Sequence, residues 1–329
     1  MHPRILGTAS QIIVLALLLG LPESGRAQPS EWAPPLTTDG QPDIQGVWTN
    51  FDPTPFEAPS DVDIERLAPL AKWFPGTNRP PAKPKPLKPG ERRPVSLGSL
   101  FPDGPGSADR NTRRRSMVVD PPTGRIPVRE SAVAVRNERL INLTDTWMNH
   151  TEWERCITRG VPGGIFPPGY GAGYRIIQSP GYVVIQYEMI HEARIIRLDE
   201  GLPLPSGIRL WNGDSRGHWE GNTLVVEVAN YNDKGAIATN VGTRGARGIP
   251  RTEQLKVVER FTFTDADTLD YEVTIEDPDV YTAPWKVAMP LNRDATYELY
   301  EYACHEGNYG LENSLSGGRA EDHAAAAGH

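Results

Sequence analysis

The sequence predicts an all-β fold: an antiparallel meander closing into a lipocalin-like barrel or a sandwich, with an extended Pro-rich N-terminal arm and one short helix. Three observations predict it. From Tyr174 onward, apolar-alternating runs of strand length follow one another. Tight turns join them, at Ser179-Pro180-Gly181, Glu220-Gly221-Asn222 and Asp265-Ala266-Asp267-Thr268. A separate early strand is marked by Gly46-Val47-Trp48. Many hairpins in series leave exposed edges unless the sheet closes or stacks, which favours a barrel or sandwich.

In chain order, residues 1–27 read as a signal peptide. Basic Arg4 precedes the apolar run Ile12 to Leu21, and Gly25-Arg26-Ala27 places small residues where a signal peptidase cuts. That run is too short to span a bilayer, which takes about 20 residues, and no later run approaches that length. The expectation is an exported, periplasmic or secreted chain with no membrane insertion. Residues 28–130 form the arm, with a strand over 42–50 and a linker within 75–94 that contains Pro80-Pro81-Ala82-Lys83-Pro84-Lys85-Pro86. Glu130 to Asn142, with Val133, Val135 and Leu140, is the one helix. Gly163-Gly164 and Gly169-Tyr170-Gly171-Ala172-Gly173 lie in a loop rich in proline and aromatics, read as a cap over a barrel mouth. The β domain fills 131–318. Its strands are Tyr174 to Gln178, Tyr182 to Glu188, Ala193 to Leu198, a hairpin through Trp219 and Thr223 to Ala229, Leu255 to Thr264, Leu269 to Glu276, Trp285 to Met289 and Tyr297 to Cys304. Residues 319–329 read as a frayed tail.

The net charge is −8, and the leader, with Arg4, Arg26 and Glu23, leaves the remainder more acidic. An acidic surface argues against nucleic acid or anionic membrane as a partner. The run Arg113-Arg114-Arg115 is a local exception and reads as a solvated loop. Cys156 and Cys304 are the two cysteines. In an exported chain they read as one disulfide, with a nucleophile or metal ligand as the other reading.

Period two assigns faces. Leu255, Val257, Phe261 and Phe263 share one side of their strand; Leu269, Tyr271, Val273 and Ile275 share one side of the next. Glu259 and Asp277 fall in phase with these apolar faces. A core-facing carboxylate must be paired, hydrogen-bonded or protonated. It is an acid or base in an internal cavity, or else a salt bridge to an inward arginine or a strand end in solvent.

The polar loop Gly213-Asp214-Ser215-Arg216-Gly217-His218-Trp219-Glu220-Gly221-Asn222 runs into the β-branched strand Thr223 to Val228. Asp214 is a candidate acid or base, and Arg216, His218 and Trp219 are candidate ligand contacts. The plainer reading is an Asp–Arg pair bracing a turn with Trp219 packed at a strand start. Tyr187, Tyr271 and Glu306 complete the candidate ligand set, and His305 the catalytic set. If the last strand continues, alternation sends His305 and Glu306 to opposite faces. His150, His191, His218 and His305 have no local metal-ligand spacing, so no metal is expected. Walker, dinucleotide and nucleophile-elbow motifs are lacking, and no cofactor is expected.

Gly46-Val47-Trp48 resembles the opening-strand signature of lipocalins, which implies an indole plugging the barrel's closed end. The chain as a whole resembles a large family of uncharacterised exported bacterial proteins common in soil acidobacteria and proteobacteria. The matching stretches are Pro42-Asp43-Ile44-Gln45-Gly46-Val47-Trp48, Val118 to Pro127, Trp153 to Gly160, the polar loop, Thr274 to Pro278, and Tyr300-Glu301-Tyr302-Ala303-Cys304-His305-Glu306-Gly307-Asn308-Tyr309-Gly310. The resemblance implies export and a single β domain and carries over no catalytic residue. Where such relatives usually read Arg and Asp, this chain has His218 and Asn222, so a role needing His218 would not be general.

Two functions follow as expectations. One is an enzyme working on an apolar or aromatic small molecule through Asp214, Glu259, Asp277 or His305, as a lyase, isomerase or hydrolase. The other is a non-catalytic, lipocalin-like binder of such a molecule. An enzyme needs two of these groups at one cavity; a binder needs isolated polar anchors. A surface-interaction module would instead need a large exposed apolar patch. No motif encodes an oligomeric state.

Overall fold

The computed structural model describes residues 32–52, 54–58, 114–168, 170–199 and 201–327. The expected signal peptide, the expected Pro-rich linker and Arg113 lie outside them. The strands are β1 (Gly46–Thr49), β2 (Val118–Asp120), β3 (Gly173–Ser179), β4 (Tyr182–Tyr187), β5 (Ala193–Arg197), β6 (Asp214–Glu220), β7 (Thr223–Ala229), β8 (Lys256–Asp265), β9 (Thr268–Glu276) and β10 (Trp285–Arg293). The order is β1-β3-β4-β5-β6-β7-β8-β9-β10-β2, and β1 also pairs with β10. Nine strands therefore close a barrel, and β2 is an extra strand on β10. Two α-helices accompany it among the described residues, α1 (Glu130–Ile141), at the position expected, and α2 (Gly310–Ala327).

Alternation builds the core. On β8, Val257, Glu259, Phe261 and Phe263 are buried while Lys256 and Thr264 are exposed; on β9, Leu269, Tyr271, Val273 and Ile275 are buried. Trp48, Tyr174, Tyr271, Phe261 and Trp285 are fully buried and fill the interior. Each such aromatic takes a large apolar area from water, at about 25 cal/mol per Å². The early Gly-x-Trp is fixed from two sides. Trp48 Nε1 donates to Ile44 O (2.9 Å), and the Arg293 guanidinium lies 4.4 Å from the ring centroid. Gly46 has φ +131°, and a Cβ there would come within 2.7 Å of Arg293 Nη1, so glycine is required.

Several expectations are corrected. The sheet is not wholly antiparallel: β5 and β6 run parallel and share one registered pair, Arg197 with Arg216. The connection 198–213 contains Pro203 and Pro205 and carries the chain back before β6 begins. At this seam a Cβ on Gly217 would meet Ile196 Cγ2 at 2.9 Å, so glycine allows the close approach. Residues 297–304 form no strand. β10 is already flanked by β9, β1 and β2, so the segment after it finds no edge there to pair with. The C-terminal stretch expected to fray is helical to Ala327. Alanines 324–327 have high helix propensity, and Gly318 is buried where a Cβ would lie 2.6 Å from Thr144 Cβ. The end of the arm joins the body, with Met117, Val118 and Ile126 in the core.

Candidate functional site

Glu259 is fully buried, and its carboxylate is fully engaged. Arg194 Nη1 donates to Oε1 (3.0 Å) and Nη2 to Oε2 (2.5 Å), and Tyr271 Oη donates to Oε1 (2.8 Å). Arg194 Nε donates to Ser215 Oγ at 3.0 Å. Burial opposes the Arg194 charge, but the neighbouring Glu259 more than restores it, so the guanidinium stays protonated. Burial pushes Tyr187 up to about 12 and holds Tyr271 well above the usual range, so both phenols stay protonated. Glu259 is thus the inward salt bridge foreseen as the plainer reading.

Asp277, 1% exposed, is likewise occupied. It accepts from Thr252 N (2.8 Å), Thr252 Oγ1 (2.9 Å) and Asp279 N (3.3 Å), pinning the turn after β9. Burial raises its pKa and the Thr252 bonds pull it back. In the polar loop Asp214 accepts from Leu204 N and Arg216 Nε, both at 3.1 Å. Arg216 Nη1 donates to Gly201 O (2.6 Å) and Nη2 to Leu202 O. The pair therefore braces the connection that crosses the β5–β6 seam. His218 is exposed and meets Glu220 at 3.2 Å, while Trp219 packs on the core. His305 and Glu306 are exposed in a turn, so strand alternation does not separate them.

A different set of side chains meets around an open space. Cys156 and Cys304 form a disulfide with Cα atoms 5.6 Å apart, joining segments 148 residues apart. Beside it lies a cleft of about 590 Å³ between residues 150–154 and 301–311. Trp153, Tyr170 and Tyr302 give it aromatic surface, with Tyr170 Oη 3.3 Å from Tyr302 Oη. Tyr302 is held by its carbonyl, 2.9 Å from His191 Nδ1. His150 and Glu154 lie on one side of the cleft, Glu301 and Glu306 on the other.

Glu154 is fixed by Thr151 N (2.8 Å), Thr151 Oγ1 (3.0 Å) and Arg247 Nη2 (2.8 Å). His150 is 7% exposed, with Nδ1 3.8 Å from Glu154 Oε2 and no hydrogen-bond partner at Nε2. Burial lowers the His150 pKa, Glu154 and a hydrogen bond to the Leu143 backbone oppose this, and Arg155 and Arg247 add to the lowering. The ring is therefore neutral at pH 7. Behind Trp153, Arg159 stacks 5.1 Å from the ring centroid, its pKa lowered by burial to about 10. Such a site can accept or donate one proton and can hold an apolar body against aromatic rings. Among the described residues no three His, Cys, Asp or Glu side chains gather as a metal group.

Of the residues singled out from sequence, Glu306 and Cys304 line this cleft. Asp214 and Arg216 line a separate hollow of about 270 Å³. His150 was weighed only as a metal ligand and Glu154 only as part of the Trp153 to Gly160 stretch, because both sit in irregular chain with no periodicity. The usable signal was the cysteine pair, which brings 150–156 to 301–308. No protein-family model, curated protein or solved structure matches this chain.

Proposed function

We propose that this is an exported barrel protein that binds a small molecule with an apolar or aromatic body in the cleft beside Cys156–Cys304. The observation that carries the reading is the contrast in space. The cleft has about 590 Å³ and three aromatic side chains, within the usual range of ligand sites at about 300–1,000 Å³. The barrel interior, where a lipocalin-like binder would hold its ligand, is filled by side chains. Export is supported by the disulfide and the leader sequence, and no helix among the described residues is long and apolar enough to cross a membrane.

Native mass spectrometry of protein purified from the periplasm tests this: a retained ligand is expected, lost in the Tyr170→Ala/Tyr302→Ala double variant. Retention unchanged in that variant would place the ligand elsewhere.

A second reading, an acid–base enzyme, is favoured by one observation: the His150–Glu154 pair stands in the same cleft. Asp214, Glu259, Asp277 and His305 have less support as its acid and base, since none lines that cleft. Once a ligand is identified, its conversion to product by the wild type but not by His150→Gln would favour the enzyme.

A further inference from the structure

We infer that the cleft selects a protonated amine carried on an aromatic or apolar body. This rests on the cleft being a binding site, as proposed above. Three features of the lining point to that class. First, Tyr170 and Tyr302 present neighbouring rings, with centroids 6.3 Å apart; the face of an aromatic ring attracts a cation. Arg159 stacked on Trp153 at 5.1 Å is an example within the same wall. Second, no lysine or arginine lines the cleft, whereas three glutamates do. Third, those glutamates are not equivalent. Glu154 is neutralised by Arg247 at 2.8 Å, but Glu301 and Glu306 form no ion pair among the described residues. A ligand cation would meet two uncompensated carboxylates.

Isothermal titration of the full mature protein at pH 7 tests this with four probes that share one phenyl ring: benzylamine, benzyltrimethylammonium, benzyl alcohol and benzoate. Benzylamine is expected to bind at least about tenfold tighter than benzyl alcohol, with benzoate weakest. Benzyltrimethylammonium keeps the charge and should also bind tighter than benzyl alcohol. The exposed double substitution Glu301→Gln/Glu306→Gln should bring benzylamine close to benzyl alcohol while leaving benzyl alcohol unchanged. Benzoate or benzyl alcohol binding as tightly as benzylamine overturns the inference and leaves the binding cleft standing. No binding by any probe overturns both the inference and the reading beneath it.

Discussion

Two of the molecule's carboxylate–arginine pairs stand in opposite circumstances. Inside the barrel, Glu259 and Arg194 are closed off by Tyr271 and Ser215, and the surrounding space is filled. At the cleft, Glu154 and Arg247 also pair, but Glu154 and its neighbour His150 line about 590 Å³ of open space, and the buried His150 Nε2 has no hydrogen-bond partner. A buried ionisable group is therefore no sign of chemistry in itself. What separates the two regions is whether hydrogen-bonding capacity is left over and whether there is room to use it.

The sharpest way to break this contrast is at Glu259. Removing one partner of a fully buried pair strands the other charge, so Glu259→Leu should cost about 3–5 kcal/mol in urea denaturation. Replacing both, as Glu259→Leu/Arg194→Met, should recover much of that loss, because no charge is then left behind. A single-variant loss below about 1 kcal/mol would mean that the interior pair is not closed as described. Next in size is the disulfide. Cys156→Ser/Cys304→Ser frees a loop of 148 residues' separation and should lower stability by about 2–5 kcal/mol. It should also weaken cleft binding, since the disulfide ties the two walls together; unchanged binding would separate the cleft from its clasp.

A smaller effect comes from His150. Its folded pKa lies below the ordinary 6.5, chiefly through burial, so the fold favours the neutral ring. Its contribution to stability is complete above about pH 6.5 and is lost as pH falls through the folded value, where the unfolded chain binds the proton more readily. The raised pKa values of Asp277, Glu152 and Glu192 act with the opposite sign: stability falls as pH rises from their unfolded values through their folded ones. The informative quantity is thus the difference between wild type and His150→Gln. Between pH 7 and 5 the wild type should lose stability faster, by at most about 1.4 kcal/mol per pH unit. Smallest of all, His218→Ala should leave the denaturation midpoint and cleft binding unchanged, because the ring is exposed and meets only Glu220. A clear loss of binding would return the polar loop to the site.

The barrel was legible where side-chain period is legible. β8 and β9 alternate cleanly, and that alternation exposed Glu259 and Asp277 as inward carboxylates along with their structural explanation. The disulfide followed from two cysteines in a chain read as exported. What sequence could not give was closure and loops. The parallel β5–β6 seam depends on where the 198–213 connection returns the chain, which no local pattern encodes. Residues 297–304 have aromatic, strand-like composition, but Glu298 and Glu301 fall on opposite phases, so neither face is apolar. The cleft is assembled from such irregular segments, and the cysteine pair was the one sequence signal that brought its members together.

The central claim is that ligand enters the cleft rather than the barrel interior. Titrating benzylamine into isotopically labelled protein and following backbone amide shifts tests it most directly. Shifts should concentrate on His150, Trp153, Tyr170, Tyr302 and Asn308, with Arg194, Ser215, Glu259 and Tyr271 unmoved. Shifts centred on Glu259 and Tyr271, with the residues beside the disulfide silent, would contradict it.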